Sequence, residues 1–489
     1  MSQSQNSAGD AGRRGANLYL VASAVAQGSA LLRYVVLARM LGPEQLGLAA
    51  TLVLTAAFFD YISDTGSDRF LVQDRDGDLP SVQKLVHLVY IGRGAMIAAA
   101  LVIFAWPIAV AYHTPRLALG LMILALSPLI LGFLHLDIRR LQRHLDFRAD
   151  ALCTVASEIA GLAATAAAAA LTHAFTAILY GLITRAIVMV GVSHLQRRRR
   201  YEIGLSREHA ARLARFAAPL MLNGVLLFFA TQGDRALVGN RLGFVALGRY
   251  SAILLLIYYP AAMLMRYIQA MYLPLLSRGR DDPVERARVG NIMGGQILML
   301  GLGMSAGFAV IAPYAVKFLY GARFSEAAMT VALIGILQTS RFLLVFPTVV
   351  ALSVGRSGAA LAVNVVRLVA YPAAFVGGFW LGGLPGVLSG FIFGELVAHG
   401  AGLALLNQGF RRPLLTGFHR LAVFALAAAA ILGMIFALER HAVVTGVCIA
   451  GGTALLLGWT AGRERLAINE SLAFVGRIAG GLFRKPRRA

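Results

Sequence analysis

Charge is what this sequence has least of. Of its 489 residues 14% are charged and 58% hydrophobic, where an average soluble domain is about 25% charged. Acids are the scarcer sign, 23 Asp and Glu against 45 Lys and Arg, for a formal net charge of +22. Cysteine is nearly absent. Cys153 and Cys448 both stand inside apolar runs, which excludes a disulfide framework and a cysteine-built metal site. The ten histidines show no metal-ligand spacing, so no metal is expected. A Gly-rich loop ending in Lys-Ser or Lys-Thr is also missing; ATP is therefore not the direct energy source, and no cofactor is implied.

What the chain does have is apolar runs of about 20 residues, the length that matches the hydrocarbon core of a bilayer. They lack the polar stripe of a soluble helix, and they are far longer than the alternating segments of a β-barrel. The pattern predicts an all-α polytopic membrane protein with about 14 transmembrane helices, numbered here in chain order. Alternate loops differ sharply in charge. "DIRRLQRHLDFR", "HLQRRRRYEIGLSREHAARLAR", "SRGRDDPVERAR", "NQGFRRPLLTGFHR" and the tail ending "FRKPRRA" form a basic set. The opposite loops, "AYHTPRLA", "LTHAF", "LGGLPG" and "ERHA", are very short. The positive-inside rule places both termini and the basic loops in the cytoplasm. The +22 is thus a topology signal, which argues against a nucleic-acid partner, with attraction to anionic membrane lipids as a by-product.

A repeat organises the chain. "YVVLARMLGPEQLGLAAT" (34–51) returns as "ALVGNRLGFVALGRYSA" (236–252), with Leu41-Gly42 and Leu46-Gly47 matched by Leu242-Gly243 and Leu247-Gly248. The first copy joins spans 1 and 2, the second spans 7 and 8. The expected organisation is a cytoplasmic segment (1–16), a six-helix half (17–194), a basic linker (195–214), a second six-helix half (215–406), two additional helices (407–461) and a basic tail (462–489). In the tail, apolar residues spaced among basic ones suit a helix lying on the inner leaflet. Two matched halves suggest a transporter in which one half rocks against the other around a central site.

At "LARMLGPEQLGLAATL" and "DTGSDRFLVQDRD" the sequence resembles the Wzx-type polysaccharide flippases of the multidrug/oligosaccharidyl-lipid/polysaccharide exporter (MOP) superfamily. Further segments carry the same likeness: "FAAPLMLNGVLLFFATQGDRALVGNRLGFVALGRYSA", "FLYGARFSEAAMTVALIG" and "GGLPGVLSG". The resemblance runs over residues 17–406, departing where "GPEQLG" replaces the usual aromatic-bearing turn. It implies a multi-pass protein of the bacterial inner membrane without enzymatic activity. Such a protein moves an undecaprenyl-diphosphate-linked oligosaccharide between leaflets for surface or exopolysaccharide synthesis, with a cationic cavity for the anionic headgroup. Polysaccharide polymerase and export proteins are the further partners it suggests.

The residues themselves point the same way. An ionisable side chain at mid-bilayer costs about 2.5–3.5 kcal/mol on insertion scales, so it must face a partner or a wet cavity. Arg33, Arg93, Arg266 and Arg341, with Arg367, are the expected substrate-binding set, and Arg185 lies in span 6. Guanidinium forks suit a diphosphate. Asp60, Asp64, Glu158 and Glu395 are the acids, either coupling-ion ligands or partners of the arginines. Asp60 and Asp64 are expected on one helical face at i,i+4, and Asp234-Arg235 at the turn between spans 7 and 8. Prolines 128, 219, 260, 347 and 372 permit kinks. A cation-coupled drug exporter of the same fold is the alternative, as is a lipid II flippase. A polymerase or ligase would need a large outer loop, and the short loops count against any enzyme.

Overall fold

The computed structural model describes residues 2–279, 282–406 and 411–440, with scattered positions between 451 and 469. All regular elements among them are helices, as lipid demands of a backbone that must bond to itself. The protein is an all-α polytopic membrane protein. Among the described residues eleven helices are long and apolar enough to cross a bilayer. One of them, Arg207–Arg278, contains both span 7 and span 8, because its backbone leaves helical geometry at Gly243. Span 4 is the pair of shorter helices Arg116–Leu124 and Leu126–Leu131. Span 14, nearly all of the basic tail and Cys448 lie outside the described residues.

Contacts divide the chain into two units, 1–252 with 319–324, and 253–318 with 325–489. The helix of span 1 runs from Ser2 to Leu41, so it continues the polar leader. Gly42 then adopts φ 83, ψ 178, and Pro43 starts span 2 (Pro43–Ile62) in the first-turn position that proline favours. Gly243, its mate in the repeat, has φ 81, ψ 178. The two copies therefore share one backbone device, a single left-handed glycine between helices. The connections are much tighter than the apolar pattern suggests, since each helix continues through the polar residues up to that glycine.

The two turns also interlock within the first unit. A Cβ on Gly47 would run into the Phe244 carbonyl, and a Cβ on Gly248 would run into the Pro43 carbonyl. These contacts are reciprocal, each copy's second glycine lying on the other copy's first turn. Further bonds follow the same pattern. Arg39 Nε donates to the Leu319 carbonyl at 2.8 Å, and Asn240, which holds the matching position in the second copy, donates to the Ala111 carbonyl at 2.7 Å. Each turn thereby grips the end of a neighbouring span, 9 in one case and 3 in the other. Arg249 Nε adds a bond to the Arg323 carbonyl at 3.0 Å. Buried Asp234 accepts from the Tyr250 hydroxyl across the Gly243 turn.

On the basic face of the first unit the linker is pinned. Asp137 Oδ2 accepts the backbone N–H groups of Arg198 and Arg199 at 2.6 and 3.2 Å. His135 bonds the Arg199 carbonyl through Nε2 and accepts the Asp137 N–H at Nδ1, an arrangement that needs a neutral ring. Burial, then the neighbouring His87 and His194, push its pKa down to about 4, which keeps it neutral. The acidic loop 74–78 is held by Arg212, whose Nη2 donates to Asp76 at 2.6 Å, and by Arg143 and His144 on Asp78. Much of the basic charge is thus matched locally.

In the second unit span 10 (Ala328–Ser353) is central, with 94% of its most apolar window buried. Phe342, Phe346 and Val350 meet Met293 and Ile297 of span 9, Tyr272 of span 8 and Phe424 of span 13 in one core. Tyr272 donates to Gln296 Oε1 at 2.7 Å inside it. Three expected prolines mark helix breaks. Pro128, Pro347 and Pro372 each lie three residues after a break, at Ala125, Leu344 and Val369, where a proline removes a backbone donor and crowds the preceding turn. No such break is recorded around Pro219 or Pro260.

The interlock predicts a selective sensitivity. Gly47→Val and Gly248→Val should each lower the melting temperature of the detergent-solubilised protein by several degrees, because overpacking costs about 1–3 kcal/mol or more. Gly92→Val, where a Cβ has nothing within 4 Å, is the control. Equal melting of all three variants would refute the interlock.

Candidate functional site

Span 1 brings Arg33 against span 5, where Glu158 is 4% exposed. Arg33 Nη2 donates to Glu158 Oε2 at 2.7 Å, and Arg185 Nε of span 6 donates to Oε1 at 2.6 Å. Spans 5 and 6 approach closely enough to do this because Gly161 and Gly181 face each other. The second unit repeats the chemistry with other residues. Glu395 of span 12, 2% exposed, accepts Arg341 Nε at 3.1 Å and Arg367 Nη2 at 2.6 Å on Oε1, and Arg367 Nε at 2.8 Å on Oε2. Each unit therefore holds a triad of two guanidiniums on one buried glutamate, with Arg185 the most exposed member at 36%. The acid stands on the first helix of the pair in one unit and on the second in the other. In the first unit Arg185 also lines a neighbouring cavity.

Arg93 lies elsewhere, at a cavity of about 710 Å³ enclosed by spans 2, 3, 4, 6 and 7 of the first unit. Its Nε donates to the Ser63 carbonyl at 2.9 Å, and its Nη2 to the Asp60 carboxylate at 3.0 Å. Span 2 ends at Ile62, so Asp64 is not on a helical face with Asp60. It caps the following turn instead: Oδ1 accepts the N–H of Gly66, whose φ is 59°, and Oδ2 accepts Arg69 Nη2 at 2.8 Å. The aspartate's own preference for such turns ended the helix one turn earlier than hydropathy suggested. Asp68 and Arg69 also line the cavity. They belong to the short helix Ser67–Gln73 outside any span, and a search confined to in-span charges passes over them. The signal that marks them is the motif "DTGSDRF" itself. Arg266, in the second unit, is exposed and makes no ion pair among the described residues.

Burial separates these charges by what they can do. The Arg33–Glu158 side chains are 9% and 5% exposed, and breaking one partner of such a pair costs about 3–5 kcal/mol. Around the cavity Asp60 is 60% exposed and Arg69 52%. Exposed pairs contribute about 0.2–1 kcal/mol, so a ligand can replace them at little cost. The described residues hold no cluster of His, Cys, Asp and Glu arranged for a metal ion.

Comparison with known proteins places this arrangement in a family. The model of the family described as "Polysaccharide biosynthesis protein" matches residues 36–329. The succinoglycan biosynthesis transport protein ExoT of Rhizobium meliloti (strain 1021) is 25% identical over 293 residues, 60% of this chain. The match spans 59% of that relative's length. Among solved structures, the lipid II flippase MurJ in its inward closed conformation has a TM-score of 0.65 at 12% identity, covering 87% of this chain and 99% of that one. An inward-facing multidrug resistance MATE transporter of the MOP superfamily has a TM-score of 0.60 at 13% identity, covering 83% and 95%. At such identities these two speak for the fold alone. The chain is a multi-pass membrane protein with the fold of these two structures, and it belongs to the polysaccharide biosynthesis protein family.

Proposed function

We propose that the protein carries a polyprenyl-diphosphate-linked oligosaccharide across the bacterial inner membrane for surface or exopolysaccharide synthesis, with both termini in the cytoplasm. The observation that carries this reading is the excess of arginine over acid inside the spans, with two guanidiniums sharing one glutamate in each unit and Arg266 making no ion pair among the described residues. A diphosphate is the ligand for which such a surplus is favourable. In this reading Arg266 meets the headgroup directly. Arg33, Arg341 and Arg367 supply field and fix the helices that form the site. Glu158 and Glu395 each accept two guanidiniums, which leaves Asp60, with one oxygen free of the Arg93 pair, as the carboxylate best able to exchange a coupling proton or cation.

The test is surface glycan per folded transporter in a flippase-null strain. Arg266→Ala should lower it at least tenfold, and Arg266→Lys, which keeps charge but loses the fork, should lie between. Arg33→Ala and Arg341→Ala should instead reduce the amount of folded protein in the membrane. If Arg266→Ala transports like wild type, the cationic-site reading is wrong.

Orientation has its own check. Single cysteines at Thr114 and Gly383 should react with an impermeant maleimide added to intact cells, and one at Arg199 should not. Labelling of the Arg199 position from outside would reverse the topology.

A further inference from the structure

The cavity of the first unit does not fit a headgroup. Its charged lining consists of Asp60, Asp64 and Asp68 against Arg69, Arg93 and Arg185. Arg185 is shared with the Arg33–Glu158 pair, and with that pair included four carboxylates oppose four guanidiniums, so the wall carries no net charge. A diphosphate entering it would meet the carboxylates, and an organic cation the guanidiniums; neither would find a surplus of opposite sign. Polar groups of both kinds nevertheless remain open. Asp68 is part-buried and makes no hydrogen bond or ion pair among the described residues. Asp60 bonds Arg93 through Oδ1 alone, and Arg69 uses one terminal nitrogen on Asp64.

Spare acceptors beside spare donors are what a hydroxyl needs, because it donates once and accepts through two lone pairs. A ligand made of many hydroxyls and no charge satisfies both sets at once. Tyr61 and Tyr90 add rings with a polar edge to the same lining, and such amphipathic groups suit a sugar's C–H face and its O–H rim. The volume of about 710 Å³ lies within the range of small-molecule sites. The wetted ion pairs of this wall are also the ones a ligand exchanges most easily, in contrast to the bonds on the buried glutamates.

We propose that this cavity is the subsite for the uncharged sugar residues of the substrate, held by Asp68, Arg69, Asp60 and Arg93. This rests on the lipid-linked oligosaccharide reading above and assigns the glycan a place apart from the diphosphate. The subsite senses sugar hydroxyls, and substitutions in it change which glycan is carried without changing recognition of the lipid.

Two probes test it on the full chain in nanodiscs. One is the lipid-linked oligosaccharide extracted from a host strain lacking this transporter, and the other is bare undecaprenyl diphosphate. The unaltered protein should bind the first at least tenfold more tightly. Asp68→Asn and Arg69→Gln should each remove that preference and leave the affinity for the bare lipid within twofold, at a melting temperature matching wild type. Two variants are used so that one misfolded protein does not decide the matter. A preference that survives in both overturns the subsite, as does equal weakening of both lipids. If the unaltered protein binds neither lipid, the transport reading itself falls. If it binds both equally, that reading stands and the subsite alone is refuted.

Discussion

A guanidinium inside a bilayer needs a carboxylate or water beside it, and this chain has about half as many acidic residues as basic ones, 23 against 45. That shortage shapes the interior. One glutamate serves two arginines in each unit, Glu158 for Arg33 and Arg185, Glu395 for Arg341 and Arg367. Sharing occupies both oxygens of each acid, while Arg33 Nη1 is buried with no hydrogen-bond partner. A protein needing only stability would do better with apolar side chains there, since buried ion pairs rarely outperform well-packed hydrophobic substitutes. The retention of two such triads is what makes a role for the excess charge the more economical explanation.

The backbone meets a different constraint by glycine and proline. Where helices must turn without a loop, Gly42 and Gly243 take the same left-handed conformation, and the following Gly47 and Gly248 let the turns press against each other's carbonyls. Where a helix must bend inside the membrane, Pro128 and Pro347 do so in spans 4 and 10, which hold corresponding places in the two halves of the expected repeat. Small residues thus set how close helices come, and imino residues set where they break. Both act at fixed backbone geometry, and a device of this kind survives large divergence of the side chains around it.

This explains how far the sequence could be read. The spans were legible because hydropathy reports directly on what lipid tolerates, and the paired turns because Leu-Gly spacing is local. The candidate arginines were legible one at a time, since a charge in an apolar run stands out. Their partners were not. Glu158 lies 125 residues from Arg33 and Glu395 lies 54 from Arg341, and no local pattern encodes which carboxylate a folded helix will present. Asp64 was misplaced for the opposite reason. Hydropathy extended span 2 past Ile62, where the turn chemistry of Asp64 and Gly66 had already ended the helix.

Charge and exposure together separate two kinds of polar site in one molecule. In the triads around Glu158 and Glu395 removing the buried acid is expensive and the geometry is fixed, conditions that favour holding structure. Around the wet cavity the ion pairs are weak and the net charge is zero, conditions that favour exchange of hydrogen bonds with a neutral ligand. A lipid-linked oligosaccharide has both characters, a dense anion joined to a glycan rich in hydroxyls. A single uniformly cationic chamber would bind the anion well and be indifferent to the sugar. Division of labour between a cationic surplus and a neutral polar cavity lets affinity come from the part all such substrates share and selectivity from the part in which they differ.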